Sequence, residues 1–224
     1  MVRLDGKTAL ITGVTGPLGR AIAHAYAAAG ADLILHYSRQ DETAAASALS
    51  RELVPLGRRA ILIQCDVGTA EGAYTAVETA IAGFGQLDIL VNTAGLPLGP
   101  LPLADLPLLR FNTVMQAALA PVLLLTRLLL PQMTTHNYGR IIATVPGNDR
   151  GDSDGGEAIA GAVRGYIGSL ARSLAPRDLA ANCVAPRLAA GGDLSDIAAA
   201  YVFLAQEEAR SLVGECLHPQ ARGG

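Results

Sequence analysis

Residues 12–20 read TGVTGPLGR, with glycines spaced by three, directly after the apolar run TALIT and at the start of an amphipathic stretch. A strand, a glycine-rich turn and a helix in that order suit an anion. The N–H groups of the helix's first turn and its dipole can hold a pyrophosphate, and a Cβ on Gly13, Gly16 or Gly19 would block its approach. The segment nominates Gly13, Thr15, Gly16, Leu18 and Gly19 as nucleotide contacts. Two more short segments end apolar runs: CDV (65–67), with Asp66 and Val67, and NTAG (92–95), with Asn92, Ala94 and Gly95. All three fall where the carboxyl ends of parallel strands would gather, which is where open α/β sheets bind ligands. After the second apolar run, where an acidic residue would grip a ribose 2′-hydroxyl, stand His36, Tyr37, Ser38 and Arg39. A dinucleotide bound here would be the phosphorylated form, NADP, with Arg39 on its 2′-phosphate. Pro17 removes one N–H from the turn, although its fixed φ suits a first helical turn, so the residues alone leave occupancy open.

Other reactive side chains form weaker patterns. Asp149, Asp152, Asp154 and Glu157, in PGNDRGDSDGGE (146–157), could make a replacement acid/base or cation site. Their oxygens lack calcium-loop spacing, and the stretch reads as a mobile, solvated loop, so no metal is expected. The tripeptide Arg150-Gly-Asp152 reads as coincidence. Cys65, Cys183 and Cys216 are odd in number, far apart and set in apolar runs, the pattern of buried free thiols in a reducing compartment. No histidine lies near them in sequence to activate a nucleophile. His24 and His136 read as structural or surface residues.

The elements that must position these groups are six short apolar runs: TALIT (8–12), DLILH (32–36), AILIQ (60–64), DILVN (88–92), RIIAT (140–144) and ANCVA (181–185). They alternate with stretches of helical periodicity that stop at glycine. Strands apolar on both faces and separated by helices belong in a parallel sheet covered on both sides. The expected fold is a doubly wound, Rossmann-type, three-layer α/β/α domain spanning residues 1–224. Half of the 224 residues are apolar, 17% are charged and the net charge is −3, which argues for a globule and against nucleic acid or an anionic membrane as partner. The apolar stretch Ala117–Leu130 is interrupted by Pro121 and Arg127, so no membrane span is expected. MVRLDGKTALITG has no apolar segment of signal-peptide length, and a cytoplasmic protein is expected.

Together with GRIIAT (139–144), RSLAPRDLAANCVAP (172–186) and DIAAAYVFLAQEEARSLVGE (196–215), the three motifs resemble the short-chain dehydrogenase/reductase family over essentially the whole chain. The resemblance implies that TGVTGPLGR wraps a cofactor diphosphate, that Asp66-Val67 lies by the adenine, and that NTAG supports the sheet edge beside the cofactor. It also implies a Tyr-x-x-x-Lys pair on the helix after the fifth strand, where the tyrosine passes the substrate proton and the lysine holds the nicotinamide ribose. Aligned through Arg172-Ser-Leu-Ala, those positions fall on Ala160 and Arg164. The family's serine falls on Pro146 and its asparagine on Ala118. No catalytic residue is therefore assigned. The chain's one lysine, Lys7, precedes the first strand, and Tyr166 sits about 240° around the helix from position 160. Arg164 keeps its proton near neutrality. The substrate lid that the resemblance implies is cut to RLAAGGDLS (187–195), where Arg187 follows Pro186, and the family's ending is replaced by HPQARGG.

What these losses leave is surface. Residues 96–133 are more apolar than one helix face requires, and small residues at Gly161, Gly165 and Gly168 permit close helix approach. Family members pair these two helices in dimers and tetramers. The expected role is a catalytically degenerate structural or regulatory subunit, in a homo-oligomer or beside an active paralogue. One alternative is a repurposed pocket that binds a small metabolite and catalyses cyclisation, dehydration or isomerisation. Another is an atypical NADPH-dependent reductase relying on cofactor and water.

Overall fold

In the computed structural model, the described residues are 4–94, 107–147, 154–174, 177–188 and 192–221. Seven parallel strands form one sheet in the order β3-β2-β1-β4-β5-β6-β7. They are β1 (Thr8–Ile11), β2 (Asp32–Tyr37), β3 (Ala60–Gln64), β4 (Ile89–Asn92), β5 (Gly139–Thr144), β6 (Leu179–Val184) and β7 (Cys216–Leu217). The helices are α1 (Pro17–Ala28), α2 (Thr43–Leu53), α3 (Ala70–Phe84), α4 (Leu108–His136), α5 (Asp154–Leu174) and α6 (Ser195–Leu204). This is the doubly wound α/β architecture expected from the alternating apolar runs. β7 is the strand the sequence reading lacked.

Side chains alternate across the pleat and so divide the core in two. Leu10, Ile34, Leu90, Ile141 and Cys183 face α3, α4 and α5, whereas Ile11, Leu33, Val91, Ile142 and Val184 face α1, α2 and α6. The order places β1 beside β4, and the direction of winding reverses between these two strands. The carboxyl ends of β1 and β4 therefore open a crevice for a ligand.

The opposite end of the sheet is held by a buried cation. Arg140, fully buried on β5, donates to the carbonyls of Gly139, Asp178 and Gln206 and to the Asp178 carboxylate at 2.9 Å. Its guanidinium also stacks on the Tyr138 ring, over which the Lys7 ammonium sits at 3.4 Å. Lys7 thus lies at the end expected of it, far from the crevice.

Three expectations need correction. α4 runs unbroken through Pro121 and Pro131 for 29 residues, although each proline removes one N–H from the helix ladder. By length and composition it could cross a membrane, yet Val122, Leu125, Leu129 and Met133 are buried in the core beneath it. Second, α5 begins at Asp154, so residues 154–157 are helical and not loop. Third, Gly168 does not lie on a free face: the Cα of Gly168 is 2.9 Å from where a Cβ on Gly214 would stand, and Gly214 has φ +74°. Gly161 and Gly165 are exposed, with open space where a side chain would be.

Candidate functional site

The crevice is built first from the turn after β1. Gly13 has φ +69°, and a Cβ on Gly19 would lie 2.4 Å from the Gly13 carbonyl oxygen, so only glycine lets the helix pack against the turn. Gly16 caps α1 in an extended conformation and Pro17 enters in the first turn, where its missing N–H costs nothing. The cap has no side-chain hydrogen bond and the first turn has no acidic residue. That first turn is open to an anion, and a diphosphate fits its glycine surfaces and its dipole. Thr15 is half-buried, and Leu18 sends its side chain into the core, which leaves backbone as its contribution.

His36 braces this turn, a role not apparent from sequence. The Gly13 N–H donates to Nδ1 at 3.3 Å, so Nε2 carries the proton and donates to the Cys65 carbonyl at 2.9 Å. Burial holds the imidazole below its usual pKa, against the opposing pull of the Cys65 carbonyl, Glu42 and Asp66. Nothing in the sequence marks this contact, because it joins residues 23 positions apart on two neighbouring strand ends.

The other nominated residues divide into scaffold and surface. The Thr12 hydroxyl donates to Asn92 Oδ1 at 2.9 Å and accepts the N–H groups of Thr93 and Ala94, each at 3.0 Å. This clamp ties the ends of β1 and β4. Asn92 Nδ2 is buried without a hydrogen-bond partner among the described residues. Asp66 accepts from the Gly68 N–H at 2.9 Å and so shapes the turn after β3, while Val67 is buried. Arg39 is exposed and already paired with Asp41, with Nε to Oδ1 at 2.9 Å. A 2′-phosphate would compete with that carboxylate, and the exposed pair is weak enough to exchange. Gly95 lies outside the described residues.

At the far side of the crevice the four aligned positions are apolar or cationic. Ala118 packs on Ile159, Ala160 is fully buried on the inner face of α5, and Pro146 is half-buried just past the end of β5. A Cβ on the next residue, Gly147, would lie 2.2 Å from the Pro186 oxygen, which brings the ends of β5 and β6 together. The Arg164 guanidinium donates to Glu157 at 2.8 Å. Tyr166 packs on the core beside Thr126 of α4. Tyr201 hydrogen-bonds Thr144 at 2.8 Å on the opposite face of the sheet, and burial raises its pKa far above the ordinary phenol value. Neither hydroxyl stands where Ala160 is. Arg187 donates its N–H to the Pro219 carbonyl and pairs with Gln220, which joins the end of β6 to the C-terminal segment.

Fold and cradle define a doubly wound α/β protein of the Rossmann type. The family model for short chain dehydrogenases matches residues 7–195, and the chain belongs to that family. It is 33% identical over 244 aligned positions to the 3-oxoacyl-acyl-carrier-protein reductase FabG of Escherichia coli, covering 97% of each chain. The corresponding reductase of Synechocystis is 32% identical over 191 positions, covering 83% of this chain and 75% of the relative. Among solved structures, a short-chain dehydrogenase/reductase from Mycobacterium marinum superposes with a TM-score of 0.87 at 23% identity, covering 98% and 95% of the two chains. The hydroxysteroid dehydrogenase of Escherichia coli gives 0.85 at 26% identity, covering 98% and 97%.

Proposed function

We propose that this chain has kept its family's dinucleotide cradle and lost the family's proton relay, and that it serves as a structural or regulatory cytoplasmic subunit in a homo-oligomer or beside an active paralogue. The observation that carries this reading is the fully buried Ala160 methyl with Arg164 ion-paired one turn further on. A methyl transfers no proton, and a guanidinium does not release one near neutrality. Losing a positioned acid costs about 10²–10⁴-fold in rate. The cofactor the cradle suits is NADP, which would rest on the first turn of α1 with Arg39 released from Asp41. When bound it would supply a hydride; the chain's own groups orient it and offer no proton to a carbonyl. Support for self-association comes from Leu108 and Leu109, exposed at 73% and 80%, and from the open Gly161 and Gly165 on α5.

A second reading rests on the Glu157–Arg164 pair. The Arg164 guanidinium would hold a small metabolite at the old relay position, and the Glu157 carboxylate beside it would move the protons of a cyclisation, dehydration or isomerisation. One calorimetric titration with NADPH and NADP⁺, followed by turnover assays on ketones including a 3-oxoacyl thioester, separates the readings. Binding without turnover supports the subunit role. Rapid NADPH consumption with a ketone overturns it, and loss of a non-redox activity in Glu157→Gln would favour the second reading.

A further inference from the structure

Strands β6 and β7 bring two cysteines together under α5. Cys183 and Cys216 are register partners, and their side chains face the same layer. Neighbouring strands lie about 4.7–4.9 Å apart, inside the Cα separation that a disulfide spans. The thiols hydrogen-bond one another, and both are reduced. They differ in access: Cys183 is 1% exposed, whereas Cys216 is half-buried on the edge strand. β7 is only two residues long, so it can shift toward β6 at little cost.

The charges around the pair are unequal as well. The hydrogen bond from Cys183 holds the Cys216 thiol below its ordinary pKa, and the Arg164 guanidinium adds to that pull by charge and hydrogen bond. Burial and the Glu157 carboxylate oppose it. Cys183 is pushed the other way by that same hydrogen bond and by burial, and the Tyr201 hydroxyl, on the opposite face of the sheet, feels the charge of both sulfurs. Cys65 gives an internal contrast, since burial and Asp66 raise its thiol to about 11.

We propose that Cys216 and Cys183 form a hydroperoxide-reactive dithiol site, with Cys216 the attacking sulfur and Cys183 the resolving one. The Cys216 thiolate attacks one oxygen of hydrogen peroxide; an S–O bond forms, the O–O bond breaks, and the hydroxide released takes a proton to become water. The Cys183 sulfur then attacks the Cys216 sulfenic acid, an S–S bond forms and the S–O bond breaks. The departing hydroxide takes the Cys183 proton and leaves as a second water. Two thiols lose two electrons and one peroxide gains them. The product staples the edge strand to the sheet directly beneath Arg164.

The test is peroxide titration of the intact protein, followed by alkylation and peptide mass mapping. The expected product joins the Cys183 and Cys216 peptides, two hydrogens lighter, with Cys65 alkylated. Without peroxide, Cys216 should react with iodoacetamide at least about tenfold faster than Cys65 near pH 7. Arg164→Gln should slow that reaction about threefold and move its pH midpoint upward, and Arg164→Lys should retain most of the rate. Cys183→Ser should halt oxidation at a sulfenic acid on Cys216 that dimedone traps. Should that variant fail to fold, the wild-type cross-link and pH profile decide the matter alone. Equal alkylation of Cys216 and Cys65, or peroxide leaving the pair reduced or joined only between chains, overturns the proposal.

Discussion

The two walls of the crevice have been treated differently. On the β1–α1–β2 side the backbone forms a turn whose geometry suits an anion: Gly13 at positive φ, Gly19 pressed on the Gly13 carbonyl, His36 bracing the turn, and Thr12 clamping Asn92. On the β5–α5 side the backbone is equally well formed, but methyl groups, a proline and an ion-paired arginine occupy the positions where the family's proton relay is expected. Backbone geometry and side-chain chemistry are therefore separable. In the reading proposed above, a cradle made of glycine turns persists because the fold itself needs those turns, whereas a relay made of side chains can go without disturbing the strands beneath it.

The comparison breaks most sharply if the second wall can be restored. Ala118→Asn, Pro146→Ser, Ala160→Tyr and Arg164→Lys together should raise NADPH-dependent ketone reduction about 10²–10⁴-fold over wild type, read as absorbance loss at the nicotinamide band. Rapid reduction by the wild-type protein itself, matching the variant, would mean that the wall was never disabled. On the first wall, Gly19→Val should destabilise the chain by about 3 kcal/mol and lower the melting temperature by about 6–12 °C, because backbone meets backbone there. Gly161→Ala, on the open face of α5, should instead raise stability by up to about 1 kcal/mol in a monomer. A loss of stability or of self-association in that variant would place Gly161 in an interface between copies.

The smallest effect concerns pH. The folded His36 has a depressed pKa, so the unfolded chain binds the proton first. Its contribution is complete above about pH 6.5 and is lost as pH falls from there through the lower folded value. Urea midpoints measured down this range should decline in wild type, and His36→Gln should flatten that part of the slope.

Much of this was legible in the sequence, for identifiable reasons. AILIQ became β3 with its bounds unchanged, and the other five runs moved by a residue or two, because parallel strands buried on both faces are continuous apolar segments. β7 was hidden by its length, two residues between Glu215 and His218. The start of α5 was hidden by Gly155 and Gly156, whose weak helix propensity is overridden once their backbone is buried. At the site, the glycines could be read from their spacing. The partners could not: Asp41 on Arg39, His36 on Gly13 and Cys216 beside Cys183 are contacts set by strand order and register. The expectation that every thiol is buried failed at two of the three: Cys65 is half-buried just after β3, and Cys216 lies on an edge strand whose existence was not foreseen.

The buried Arg140 gives the molecule a fixed end. Three of its hydrogen bonds converge on oxygens of Gly139 and Asp178 at the amino ends of β5 and β6 and a fourth on the Gln206 carbonyl just past α6, and a desolvated cation so enclosed is released only when the whole sheet opens. Amide protons along β5 and β6 should therefore be the last to exchange with heavy water. The rims of the crevice, at the other end of those strands, can breathe, mutate or take up new chemistry without loosening the anchor.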